Sequence, residues 1–169
     1  MIRVQREDFD IGAELDTLTC DNPGVGGLCS FVGLVRDLHP DARTPGGEDG
    51  AGRAVGEVRA MTLEHYPGMT EKMLERIDAA AHRRWPLEAS LVIHRYGRME
   101  PGERIVLVAT ASAHRQAAFD SCQFLIDWLK TKAPFWKLEE TPEGGRWVDA
   151  RDSDDTAAAR WGRDEGAAE

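Results

Sequence analysis

Residues 104–139 constrain the fold more tightly than any other stretch of the chain. Residues 104–111 are rich in Val and Ile and read as a strand. A helical pattern follows over about 113–132, opened by Ser112, with Ala118, Cys122, Leu125, Ile126 and Leu129 on one apolar stripe. Pro134 stops it, because proline has no N–H and bars the residue before it from helical geometry. Phe135–Leu138 then reads as a short strand. A stripe of this kind has to be buried, and the flanking strands supply the sheet that buries it.

The remaining punctuation extends this pattern. Residues 28–35 form a strand that ends at Arg36. Residues 57–64 alternate and form another, closed by the turn His65-Tyr66-Pro67-Gly68. A helix over about 69–84 presents Met69, Met73, Leu74, Ile77 and Ala81 on one face and stops at Trp85-Pro86. Residues 90–96 form a strand, Glu100-Pro101-Gly102-Glu103 a turn, and Arg146–Asp149 a last strand after Gly144-Gly145. Strands and helices do not strictly alternate, so the class is α+β, with two main helices on a mixed or antiparallel sheet. One domain spans residues 1–151. Residues 40–56, rich in Pro, Gly, Asp and Ala, form a flexible loop. Residues 152–169, rich in Asp and Ala, form a frayed tail.

Charge narrows the function. The chain has 169 residues, a net charge of -9 and a pI near 5.1, which argues against a nucleic-acid footprint over the whole surface. It leaves room for a local basic pocket. No apolar run is long enough to span a bilayer, and the first residues, Met1-Ile2-Arg3-Val4-Gln5-Arg6-Glu7, have no apolar signal core. Cys20, Cys29 and Cys122 are odd in number and far apart, matching neither a disulfide framework nor a CxxC metal site. A soluble cytoplasmic protein without a bound metal is expected.

Within this acidic chain, cations gather around one helix. His114 and Arg115 stand where it begins, and a helix start offers unpaired N–H groups and partial positive charge to an anion. Against this, Ser112 serves equally as a plain N-cap with Arg115 on the surface. Lys130 and Lys132 stand in the last turn, where cations complement the helix dipole without any further role. Lys137 lies beyond Pro134 beside Phe135 and Trp136, and the dipole does not explain it. A lysine crowded by cations can serve as nucleophile or proton carrier. Arg36 ends a strand beside the flexible loop. His65, His82 and His94 lack metal-ligand spacing and read as structural. Cys122 lies on the apolar stripe and reads as buried and inert. Gly24, Gly26 and Gly27 precede a strand, so they are no phosphate loop. Trp85, Phe124 and Trp128 read as core.

These residues together resemble the large, catalytic subunit of molybdopterin synthase. The resemblance rests on Phe31-Val32-Gly33-Leu34-Val35-Arg36, Leu63-Glu64-His65-Tyr66-Pro67-Gly68-Met69, His94-Arg95-Tyr96-Gly97, Ser112-Ala113-His114-Arg115 and Leu129-Lys130-Thr131-Lys132-Ala133-Pro134-Phe135-Trp136-Lys137. It covers about residues 2–161. It implies an α/β-hammerhead-type fold and conversion of cyclic pyranopterin monophosphate into molybdopterin. The sulfur for the dithiolene would arrive as a thiocarboxylate on the C-terminal Gly-Gly tail of a small ubiquitin-like partner. It implies an assembly of two large and two small subunits, with a central homodimer of large ones. It implies no cofactor beyond the substrate. Carried onto this chain, the substrate-binding positions are Leu34, Val35, Arg36, His114, Arg115, Lys130, Lys137, Leu138 and Glu139. Lys130 and Lys137 are the catalytic pair, and Arg151 reaches across the dimer. Residues 40–56 look longer than the family carries there. The absence of a cysteine in any anion-binding loop agrees with sulfur brought from outside.

Two other readings compete. A phosphate-ester hydrolase or phosphotransferase could use the same cations, with a metal or nucleophile in support. A non-catalytic scaffold could bind a ubiquitin-like protein along a sheet edge.

Overall fold

The computed structural model describes residues 1–36, 59–141, 144–148 and 152–162. The elements run β1 (Ile2–Gln5), α1 (Ile11–Thr19), β2 (Gly27–Leu34), β3 (Ala60–His65), α2 (Met69–Arg84), β4 (Leu87–Arg95), β5 (Gly97–Met99), β6 (Arg104–Ser112), α3 (Arg115–Lys132), β7 (Phe135–Thr141), β8 (Gly144–Val148) and α4 (Asp152–Ala159). The strands form two four-stranded sheets, ordered β1-β4-β6-β2 and β5-β3-β7-β8. Among the described residues β1 and β4 pair in parallel and the other strand pairs are antiparallel. The α+β class is as expected, but two sheets stand where one was anticipated.

The first sheet is covered on both faces. Side chains alternate along a strand. Val92, Val106 and Val108 therefore face α2 and α3, packing with Leu74, Ile77, Phe124 and Leu125. Leu91, Ile93, Leu107 and Ala109 face the other way, onto Phe9 and α1 residues Ile11, Leu15 and Leu18. Double coverage explains why the middles of β4 and β6, Leu91–Ile93 and Ile105–Ala109, are apolar without alternation. A third cluster, Val35, Leu63 and Met99, backs the second sheet.

Helix α2 keeps its expected bounds. Gly68 starts it at φ +78°, a backbone conformation that suits glycine, and its N–H donates to Glu71 at 2.6 Å. Met69 departs from the expected apolar face: it is half exposed, and Thr70 is buried instead. Helix α1 was not anticipated, although Asp10 caps it by accepting from Ala13 N–H at 2.9 Å and its apolar residues recur at four and three. Strands β1 and β5 were also missed, being only four and three residues long.

The expected frayed tail is corrected over residues 152–162. Helix α4 packs on α3, and Trp161 meets Trp85 and Phe124 edge-on with centroids 5.7 and 5.6 Å apart. Buried Asp127 accepts from Trp161 Nε1 at 2.8 Å and from Arg160. The aromatic side chain, not the Asp/Ala composition, decides the outcome. The expected loop 40–56 and Arg151 lie outside the described residues.

Candidate active site

The candidate residues fall at two ends of the molecule. At the first end, β2 closes with exposed Leu34, buried Val35 and exposed Arg36. Val35 is tied to the β5–β6 turn, donating to Glu103 O and accepting from Gly102 N–H, each at 2.8 Å. It packs on Leu63. Leu63 pairs in register with Lys137, so the two share a face. Because Leu63 is buried, that face is the inner one. Lys137 thus stands half-buried on the inner face of the second sheet, between Phe135 and Glu139, one row from the residue preceding Arg36. Lys130 and Lys132 end α3 just before β7. Lys132 lies over the Trp128 ring at 5.6 Å, and the dipole explanation suits it.

Two of the expected ligands are used differently. Glu139 is 2 % exposed, and its carboxylate accepts from Arg146 Nη2 at 2.8 Å across β7 and β8. It is committed to an internal ion pair. Leu138 points to the opposite face from Lys137, against Gly145.

The second end holds His114 and Arg115, both exposed. Helix α3 begins at Arg115, with His114 at its N-cap position making no side-chain cap bond. Ser112 is therefore not the cap. It is fully buried, donates to Pro86 O at 2.8 Å and accepts from His114 N–H at 3.3 Å. Gly26 lies so close to this turn that a Cβ would meet Ala113 O at 2.3 Å, so only glycine fits.

These ends are far apart. An α-helix rises about 1.5 Å per residue, which puts Arg115 and Lys130 about 22 Å apart along α3. Strand β2 gives an independent ruler. Gly27 lies against Arg115 and Leu34 beside Arg36, seven residues or about 23 Å away. A single pocket joining Arg115 to Lys137 within one chain is therefore corrected. One chain joins Arg36, Lys130 and Lys137 at one end and leaves His114 and Arg115 at the other.

Beside Lys137 stands a residue that sequence reasoning set aside. His94 is buried and stacks on Phe135, with centroids 3.7 Å apart and planes 17° from parallel. Burial, with added repulsion from Lys137 and His65, pushes its pKa down to about 4, so it is neutral near pH 7. The signal available was its place at the end of an apolar strand.

The described thiols and the Ser90 hydroxyl are not set up as nucleophiles. Burial, reinforced by neighbouring Cys29, pushes the Cys122 thiol up to about 12. Cys20 is exposed at the end of α1. Ser90 Oγ lies 2.8 Å from His82 Nε2 but donates to Asp78 at 2.6 Å. Its proton points away from the base, so the trio ties α2 to β4. Among the described residues no group of three or more His, Cys, Asp or Glu is placed to hold a metal ion. No helix among them is long and apolar enough to cross a membrane.

Comparison with known proteins identifies the family. The MoaE protein family model matches residues 4–132. The chain belongs to the MoaE family. It is 55% identical over 160 residues to the molybdopterin synthase catalytic subunit of Pseudomonas aeruginosa, covering 95% of this chain and 97% of that one. It is 52% identical over 161 residues to that of Ralstonia nicotianae, covering 95% and 84%. The solved MoaE protein of Burkholderia ambifaria superposes with a TM-score of 0.77 at 52% identity, over 97% of this chain and 99% of that one. Family members are sulfur-transferring enzymes of molybdenum cofactor biosynthesis, and this chain is an enzyme of that kind.

Proposed function

We propose that the lysine end of this chain transfers sulfur from the thiocarboxylated Gly-Gly tail of a small partner subunit to cyclic pyranopterin monophosphate. One observation carries the reading: Lys130 and Lys137 share an end of the molecule with Arg36, while no activated thiol lies there. Sulfur must then be delivered. Its relatives are catalytic subunits, which agrees with a separate donor subunit. A tail without side chains suits a narrow approach. Lys130 transfers a proton or steadies the tail's departing carboxyl oxygen, and Lys137 orients the precursor and offsets its charge. The chain works in the cytoplasm and holds no metal or cofactor of its own.

The distance along α3 extends the reading. His114 and Arg115 serve the lysine end of a second copy, within a central homodimer whose symmetry exchanges the two ends. They hold the precursor's phosphate, which suits exposed cations at a helix start. Arg151 is assigned to the same crossing.

Lys130→Ala is the direct test. Given precursor and thiocarboxylated small subunit, it forms dithiolene far more slowly than wild type; undiminished turnover would remove Lys130 from the mechanism. Mixing tests the shared site. Lys130→Ala and Arg115→Ala protomers, each inactive alone, recover about a quarter of wild-type activity when re-associated, because half of random dimers carry one intact site. No recovery places each site within a single chain.

A further inference from the structure

We propose that His94 is a positioning residue for Lys137: held by Arg95 O and by the Phe135 ring, it fixes where β7 begins and so where Lys137 stands. The inference rests on the reading that Lys137 acts in the reaction.

The clamp is built in layers. A carbonyl only accepts, so the 2.9 Å contact between His94 Nδ1 and Arg95 O puts the proton on Nδ1. The ring is then a neutral tautomer with a lone pair on Nε2. The carbonyl itself is fixed, because the Arg95 guanidinium donates to Arg6 O at 3.1 Å, Arg104 O at 2.9 Å and Glu103 at 3.3 Å. The ring's other constraint is Phe135, the first residue of β7. Lys137 follows two residues later on the same face. A shift of the stack therefore moves Lys137 with it.

Charge supports the same role. The titratable and charged groups around this spot include Lys137 and Glu139 on β7, His65 on β3, Arg146 on β8 and Arg95 on β4, with Tyr96 against His65 and Arg6 over the Tyr96 ring. Glu71 at the start of α2 lies 3.6 Å from His65. Glu139 and Arg146 pair with each other. A protonated His94 would add a cation beside Lys137. Burial keeps the ring neutral, so Lys137 acts against a flat, uncharged wall.

The test compares His94→Phe, His94→Gln and Phe135→Leu with Lys137→Ala in the holoenzyme supplied with precursor and thiocarboxylated small subunit. His94→Gln and Phe135→Leu lose the stack. Each is expected to lower kcat about tenfold, the size of a small misplacement of a catalytic group, with KM changed less than about twofold. The basic limb of their kcat–pH profiles shifts. His94→Phe keeps the stack and retains more activity than His94→Gln. Should His94→Gln fold poorly, Phe135→Leu probes the same stack from β7. Wild-type kcat and pH profile per folded molecule in both stack-breaking variants, with Lys137→Ala inactive, overturns the assignment of His94 alone. Wild-type turnover in Lys137→Ala overturns the reading beneath it.

Discussion

The two sheets divide the labour. In the first, the central strands β4 and β6 are covered on both faces, and their middle residues, Leu91–Ile93 and Ile105–Ala109, are all apolar. In the second, one face is buried and the other carries Trp136 and Trp147 at 50% and 55% exposure. Its buried face is the unusual one, because it admits Lys137, Glu139 and, from the first sheet's edge of the cluster, His94. The middle of the first sheet, packed with apolar contacts on both faces, serves as a frame. A sheet that accepts charge on its inner face, as it does with Glu139 held by Arg146, is where chemistry is affordable.

Four measurements test this division, the largest effect first. Phe124→Ala removes a ring that packs on Trp85, Trp128 and Trp161 behind the first sheet. It is expected to cost about 3–5 kcal/mol in denaturant melts. A much smaller loss would mean that the frame repacks easily.

Acid titration comes next. The unfolded His94 takes up a proton near its ordinary 6.5, but the folded ring declines it until about pH 4. Between those values the unfolded state binds more protons, so stability falls as pH falls, by about 3 kcal/mol in total. His94→Phe should flatten this slope. Asp8, whose carboxyl is held below its ordinary 3.8 mainly by its bond from Arg104, adds a separate loss at still lower pH. An equal slope in wild type and His94→Phe would show that the ring is not a buried neutral group.

Third, Lys130→Ala should slow dithiolene formation by about a hundredfold or more, the range for losing one group that stabilises developing charge. Its melting temperature should stay near wild type, since Lys130 is exposed. A large drop in melting temperature would make this lysine part of the frame. Fourth, Arg146→Ala leaves the Glu139 carboxylate buried without its partner and costs about 1–2 kcal/mol. Adding Glu139→Gln should return part of that loss. If the double variant is no better than the single, the ion pair is not what makes Glu139 tolerable.

Much of the frame was legible before any coordinates. Helix α2 keeps its expected bounds of 69–84, and α3 ends where Pro134 requires. Cys122 is as buried and inert as its place on the apolar stripe implied. The misses share a cause. Strands β1 and β5 are too short for periodicity to register, and α4 is held by Trp161 and Arg160 meeting Asp127 more than thirty residues away. The site was half legible. Spacing singled out Lys137 as a cation that the helix dipole cannot explain. It gave no warning that Glu139 is bound to Arg146, or that Leu138 points the other way.

The sequence alone determined the two main helices, the longer strands, the α+β class and the family resemblance, because periodicity, proline stops and short motifs act over a few residues. The tertiary structure decided which charges meet. Pairing Leu63 with Lys137 turned that lysine inward, stacking Phe135 on His94 placed a neutral ring beside it, and the length of α3 kept Arg115 about 22 Å away. Each depends on contacts between residues distant in the chain, and no local pattern encodes a distance between ends.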